Sequence, residues 1–528
     1  MGQASRWARW AGARVSQDNL LVGIDPCELI NLSGIAFYTV FGLMAGYSGY
    51  LIWRVFLGVD SYEFPARNYG DLAFRTWGPI LRYITNIFQA IALLLIVGQV
   101  TIQFGENISQ VSKFRLCYIA CPVIFACAGF FVTQIRTLKA YGWVANFAVW
   151  INLLVIFITM GVMAHSPPNY AIATLGSAGS AVDPSTITPD KNGTYPPIMH
   201  YNNLPPNGLV GSINGLLSGV LAYAGAQLFV EFMAEMRRPR DFIKAMWGAQ
   251  FFIYSVYLIY GCYVYHFQGQ YAFQPSYMGV SHYGWQTAGN IISLVSALIA
   301  AGLYGNIGIK VLYNNIFIDL FKSPPLTTRR GKFIYAALVP FWWIIAFIIA
   351  AAIPDYFGFV SVMSASMLLN LTYTLPPLFA LGFDCQKHAV RAGYGEGFDP
   401  VTGQIVRAES STVRRLVRGF LSGGPLQIAT NVWHVIYFFA SLAMCGLGMY
   451  AAVDGRFSTP CHSHRVKRIS LCRANSVSAC RYDCRFRKPA IELVLLYLAS
   501  RPQCTLKFHP NPTLSHSLLC TWVNTALG

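Results

Sequence analysis

Charged side chains are the scarcest class in this sequence: they make up 11% of its 528 residues, against 55% hydrophobic, and mean hydropathy is +0.45. An ordinary soluble domain is about one-quarter charged, so that class is excluded, and the length bounds a number of membrane spans rather than of domains. Short catalytic signatures are missing too. There is no phosphate-cradling glycine loop with lysine, no H-E-x-x-H and no G-x-S-x-G, and His266, His282 and His434 have no acid at helical spacing. No enzyme activity, cofactor or metal is therefore expected. The 13 cysteines show no metal or disulfide spacing as far as residue 455, and those within spans read as small apolar packing residues. Residues 1–28 hold Arg6, Arg9 and Arg14 and lack an apolar run long enough for a signal sequence or a span. The net charge of +17 then serves as orientation information, with a lipid bilayer and not nucleic acid as the partner.

What is present is organised around residues 208–245. No charge interrupts this stretch before Glu231, which leaves the roughly 20 apolar residues that a span needs. Gly211, Gly215 and Gly219 recur every fourth residue and offer a bare face to another helix. Beyond them a permissive glycine, Gly225, lies among small residues at membrane depth, where unwound backbone survives only if it lines a cavity enclosed by protein. The same residues read equally as small-residue helix packing. If the backbone unwinds, Ala222, Tyr223, Ala224, Gly225, Ala226 and Gln227 are the candidate solute-binding residues, with Tyr223 as an aromatic gate. Glu231 and Glu235, one turn apart, can face Arg237 or Arg238 at the inner surface. Structural pairing and a coupling or inner-gate role both stay open for Glu231, Glu235 and Arg237. On other spans, Asn86, Gln89, Gln99 and Gln103 mark polar stripes. Ser293 and Ser296, beside Gly302, Gly305 and Gly308, are candidates for coupling or for plain interhelical hydrogen bonds.

The run from Gln227 to Phe242, ending in Glu235-Met236-Arg237-Arg238-Pro239-Arg240-Asp241-Phe242, resembles the sixth span of the amino acid/auxin permease family. In that family's fungal amino acid transporters a tyrosine-glycine break leads into Glu-Met-(Arg/Lys)-x-Pro-x-x-Phe. Gly46-Tyr47-Ser48-Gly49-Tyr50 and the stretch from Tyr69 to Pro79 look like the family's second span and the loop after it. The resemblance covers residues 30–455. It implies an all-α polytopic membrane protein with a discontinuous-helix, inverted-repeat transporter fold. It also implies secondary transport of amino acids, neutral ones first, with cation coupling that favours H+ over Na+, in a plasma rather than a vacuolar membrane. The alternatives are a transporter-derived amino acid sensor and an inactive truncated carrier. A channel should show rings of charge or a filter repeat, and the sequence has neither. Where the family often has a histidine after the glycine, this chain has Ala226-Gln227, so histidine-dependent coupling is not expected there.

Windows free of charge fall at residues 30–53, 83–104, 116–132 and 141–163, then, after a Ser/Thr/Pro/Asn-rich loop at 165–207, at 208–230, 245–266, 286–309, 333–353, 356–381 and 428–453. That predicts about ten spans. With the long loop outside, 20 arginines and lysines fall in inside connections and only Lys113, Arg115 and Lys191 outside, the asymmetry expected of a membrane protein. The first span then runs inward and leaves Arg6, Arg9 and Arg14 on the wrong side. The expectation is that the family's first span, symmetry mate of the 208–245 helix, is missing. Such a chain would leave the Gly211/Gly215/Gly219 face to lipid or to an unfilled groove, and would take up solute only once a family-type first span precedes Pro26. Domain boundaries are expected at a non-membrane segment 1–28, a transporter domain 29–455 and a basic tail 456–528. The tail holds six of the cysteines and a net charge of +9. Among Cys461, His462, His464, Cys472, Cys480 and Cys484 no two cysteines have the two-residue separation of a zinc knuckle, so the tail is expected to be disordered or out of register with the family. In sealed, right-side-out cells, added protease is expected to cut within 165–207 and to spare 382–427. Cleavage at the arginines of 413–419 would overturn the orientation.

Overall fold

The computed structural model describes residues 32–458 apart from 174–186, 201–207, 391–395, 399–404, 407–411 and a few stretches of one to three residues. These residues belong to one compact unit, 1–480, while a second unit, 481–528, lies outside the description. The expected segment 1–28 and everything in the basic tail beyond residue 458, with its zinc alternative, lie outside it as well.

Every window free of charge forms helix. In chain order the helices are α1 (Leu32–Val59), α2 (Tyr69–Trp77), α3 (Pro79–Val111), α4 (Ala120–Thr133), α5 (Leu138–His165), α6 (Gly208–Ala222), α7 (Phe229–Ala234), α8 (Phe242–Gln268), α9 (Tyr283–Leu312), α10 (Arg329–Ala352), α11 (Tyr356–Met363), α12 (Leu375–Ala389), α13 (Thr412–Leu421) and α14 (Pro425–Ser458). A single helical turn lies at Tyr170–Ala173. A two-residue antiparallel pairing of β1 (Gly397–Phe398) with β2 (Ile405–Val406) lies in the α12–α13 connection. Among the described residues nine helices, counting α6–α7 and α11–α12 as one each, are long and apolar enough to cross a membrane. The tenth expected span, 116–132, is α4, whose 14 residues reach about 21 Å and fall short of a bilayer core. The fold is the expected all-α, polytopic one.

Local chemistry sets the helix ends. Asn68 accepts from the Asp71 N–H at 2.8 Å and the Asp71 carboxylate accepts from the Asn68 N–H at 3.2 Å, a reciprocal cap that starts α2. Gly78, at φ 98°, then reverses the chain and Pro79 opens α3, as suits a residue that fixes its own φ and needs no intrahelical acceptor.

The long helices α3 and α9 pack side by side at the centre. Glycines of α9 and α4 receive aromatic side chains from α10: a Cβ at Gly308 of α9 would come within 2.5 Å of the Trp342 ring, and one at Gly129 of α4 within 2.1 Å of Trp343. The Gly305 and Gly308 positions are thus packing surfaces, and not a cavity wall. The broken pair α6–α7 is the most enclosed of the spans, 89% buried against 28% for α14. Of the glycine face expected to meet lipid or an unfilled groove, Gly219 is buried and Gly215 half-buried. At Gly219 the nearest neighbour of an added Cβ, Phe41, is 3.9 Å away. The close approach runs the other way, with Leu217 of α6 seated 3.0 Å from the Cβ position of Gly448 on α14.

Buried polar groups tie α1 to the last two spans. Arg54 pairs with Asp384 of α12, which is fully buried. The Tyr47 hydroxyl meets His434 Nε2 of α14 at 3.1 Å, and Ser48 shares a hydrogen bond of 2.8 Å with Tyr437. Removing one partner of such a pair strands the other charge in low dielectric. Arg54 keeps some contact with water, so Asp384→Asn is expected to cost about 3 kcal/mol, near the lower end for broken buried pairs, measurable as a lower unfolding midpoint of the full chain in detergent. An unchanged midpoint would show that this pair does not hold α1 to α12.

Candidate functional site

The helix of residues 208–234 is interrupted at the expected place. Regular bonding ends at Ala222, and tighter contacts follow: the Tyr223 N–H donates to Val220 O at 3.3 Å, Ala224 to Leu221 O at 3.2 Å and Gly225 to Tyr223 O at 2.8 Å. A 3-10 turn, Ala226–Leu228, leads into α7. Gly225 itself sits at φ −110°, ψ −13°, a conformation open to any residue, so the interruption does not rest on a left-handed glycine. What marks the break is the shift from four-residue to three-residue bonding, which re-aims the backbone over one turn.

Ala222, Tyr223, Ala224, Ala226 and Gln227 are all buried. The Tyr223 ring packs 4.9 Å from Tyr38 of α1, and its hydroxyl lies against Gly42, where an added Cβ would stand 2.9 Å away. From α3, the Gln89 amide donates twice, to Gln227 O at 2.8 Å and to Glu231 Oε1 at 2.7 Å. One side chain therefore satisfies a carbonyl freed by the break and one oxygen of a carboxylate. Glu231 Oε2 and both amide atoms of Gln227 are buried and meet no protein partner.

Facing the break is a second irregular backbone. Between α11 and α12 the chain runs through two π-helical turns, Ser364–Leu368 and Asn370–Thr374. The first packs on α6 and the second on the 3-10 turn. Pro376 and Pro377 begin α12 and supply no N–H, so carbonyls one turn earlier lose their usual donors. Asn370 Nδ2 donates to Ser366 O at 2.7 Å, and Tyr69 of α2 donates to Leu371 O at 2.8 Å. The hydroxyls of Ser364, Thr372 and Thr374 are buried without a protein partner. The sequence reading missed this strip, because 356–381 scans as one apolar span. The paired prolines, set after Ser, Asn and Thr at short intervals, were the available signal.

The other candidates disperse. Among the described residues no ion pair joins Glu231 or Glu235 to Arg237 or Arg238. The reason is local: α7 ends at Ala234, so the helical spacing that would align residue 231 with 238 is not continued, and Glu235 and Arg237 are exposed. Ser293 accepts from Asn107 Nδ2 at 3.2 Å and donates to Asn290 O at 3.0 Å. Asn107 lies 18 residues beyond Gln89, about 27 Å along α3, so Ser293 belongs to the opposite end of the bundle from Glu231. Tyr277, between α8 and α9, receives Gln103 and Asn107 in that network, and burial pushes its hydroxyl up to about 12, which keeps it a protonated donor. Ser296 is buried, and its hydroxyl has no protein partner.

Comparison with known proteins bears on what such a break does. A family model described as "Transmembrane amino acid transporter protein" matches residues 31–188 and 212–389, which include α6, the break, α7 and the π-helical strip. A "Transmembrane transporter" of Fusarium pseudograminearum (strain CS3096) is 23% identical over 320 residues, 58% of this chain and 60% of that protein. A second "Transmembrane transporter", of Gibberella moniliformis (strain M3125 / FGSC 7600), is 23% identical over 249 residues, 47% of this chain and 48% of its own length. The chain thus spans between about half and three-fifths of the curated relatives it matches.

A buried amide without partners costs stability, about 1–3 kcal/mol per unsatisfied group. Gln227→Leu, close in size and wholly apolar, is expected to raise the unfolding midpoint of the ligand-free protein, by about 1 kcal/mol or more. A clear fall in the midpoint would show that the amide has a structural role.

Proposed function

The chain belongs to the transmembrane amino acid transporter protein family, and on that premise we propose that it moves an amino acid across a membrane, with the solute bound at the broken span. The observation that carries the reading is the buried, unpartnered amide of Gln227 inside the break, on the turn against which the π-helical segment with the unpartnered hydroxyls of Thr372 and Thr374 packs. A free amino acid brings a carboxylate and an ammonium group. N–H groups at a helix restart suit the first, and the Gln227 and π-strip oxygens suit the second. Ala222, Ala224, Ala226 and Leu228 offer the side chain an apolar wall, which favours a neutral solute. Glu231, with one oxygen held by Gln89 and the other unpartnered, is the group proposed to take the coupling proton. Protonation removes the cost of a carboxylate buried at membrane depth, so solute and proton would move together more easily than either alone. Glu235 and Arg237 then serve at most the inner mouth, and the plasma membrane is the proposed location.

The test is binding and uptake of labelled neutral amino acids by the purified full chain, in detergent and in proteoliposomes with the outside acidified. Saturable binding is expected, with Gly225→Val and Gln227→Leu lowering affinity by tenfold or more, the scale of losing one or two solute hydrogen bonds. Both variants should stay folded, since φ at Gly225 is open to any residue. Glu231→Gln is expected to keep binding and to lose the dependence on the proton gradient. Binding without accumulation would favour the sensor reading, and wild-type affinity in both break variants would reject the site.

A further inference from the structure

The helix α13, Thr-Val-Arg-Arg-Leu-Val-Arg-Gly-Phe-Leu, lies between two spans, α12 and α14, and so stands at one face of the membrane. One side of it is fastened to the end of α12. Gly419 rests on the Cys385 carbonyl, closely enough that a Cβ could not fit. Arg418 donates to Ala389 O at 2.9 Å and approaches Glu396 at 3.6 Å, Ser422 donates to His388 O at 2.7 Å, and Asn431 of α14 donates to Phe420 O at 3.1 Å.

The other side is apolar and open. Val413, Val417 and Leu421 are 69%, 54% and 61% exposed and recur every fourth residue, so they form one line along the helix. Leu426 at the start of α14 is exposed as well, and Val432, Trp433, Ile436 and Phe439 carry the exposed apolar surface along that span. Arg414, next to Val413, is exposed, whereas Arg415 is half-buried, with one guanidinium nitrogen enclosed by protein. Neither arginine takes part in an ion pair among the described residues. A helix held down on one side, with an aliphatic line beside an exposed guanidinium group, has the chemistry of a surface that rests in the headgroup layer. Continuity with the lipid-facing side of α14 and the positive charge both favour a bilayer over a protein partner. Guanidinium groups match phosphate oxygens in geometry as well as charge.

We infer that α13 is an interfacial anchor that docks onto anionic phospholipid, with Val413, Val417 and Leu421 at the acyl boundary and Arg414 on the lipid phosphates. This holds whether or not the broken span carries an amino acid.

The experiment follows amide hydrogen exchange over 412–421 in the full chain, placed in nanodiscs of phosphatidylcholine alone or with about a third phosphatidylserine. It is paired with titration of phosphatidylserine into detergent-solubilised protein, read by native mass spectrometry. Protection of α13 is expected to be greater in the anionic discs and to fall as salt is raised. A basic residue near an anionic surface contributes about a fivefold factor in affinity. Arg414→Gln is therefore expected to weaken phosphatidylserine binding about fivefold. Val417→Asp should remove protection in both discs while leaving the unfolding midpoint in detergent unchanged. Equal protection in the two lipids, no effect of Arg414→Gln, or protection reproduced by inorganic phosphate alone would each overturn the proposal. So would protection that depends on protein concentration, which would assign the face to a second copy of the chain.

Discussion

A membrane span that stops being helical must have its freed backbone groups met by protein, because an unpaired N–H or C=O in hydrocarbon costs several kcal/mol. In this chain much of that duty falls on one amide, that of Gln89. It reaches from the central helix α3 to the Gln227 carbonyl and the Glu231 carboxylate together. The break, the acid that follows it and the most buried helix pair of the bundle are thereby fixed to one another. The enclosure of α6–α7 follows from the same need, and so does the position of Tyr223 in a nest of tyrosines from α1 and α8.

The break is matched by a second departure from regular helix, the π-helical turns before Pro376 and Pro377. Wider turns release carbonyls that a regular helix would bond, and such turns recur at functional sites. Two irregular backbones in contact concentrate polar groups in one enclosed place. The surrounding helices stay regular and apolar.

Elsewhere polarity holds helices in register. Lipid tails are as apolar as leucine, so apolar packing by itself discriminates little between one helix arrangement and another. Toward one end of the bundle Gln103, Asn107, Gln110, Tyr277, Asn290 and Ser293 join α3 to α9. Arg54 with Asp384 and Tyr47 with His434 join α1 to α12 and α14.

The sequence alone determined a great deal about this fold. Runs free of charge are long enough to be spans, so the nine helices long and apolar enough to cross a membrane among the described residues were legible from composition, as was the interruption between Ala222 and Phe229, whereas 116–132, expected as a tenth span, is the short α4. Gln89 was marked as polar in an apolar helix, but its two partners lie 138 and 142 residues away, and no local pattern encodes that distance. The π-helical strip was hidden because hydropathy does not register a change in helical pitch. Glu231 and Arg237 looked like partners because sequence spacing assumes a continuing helix, and α7 ends before that spacing is completed. Ser293 and Glu231, grouped together by residue type, sit near opposite ends of α3. Composition decides which segments enter the membrane, since transfer from water is a property of each segment by itself. Which polar atoms meet, and which stay unpartnered, depends on contacts between segments, and only the tertiary structure decided that.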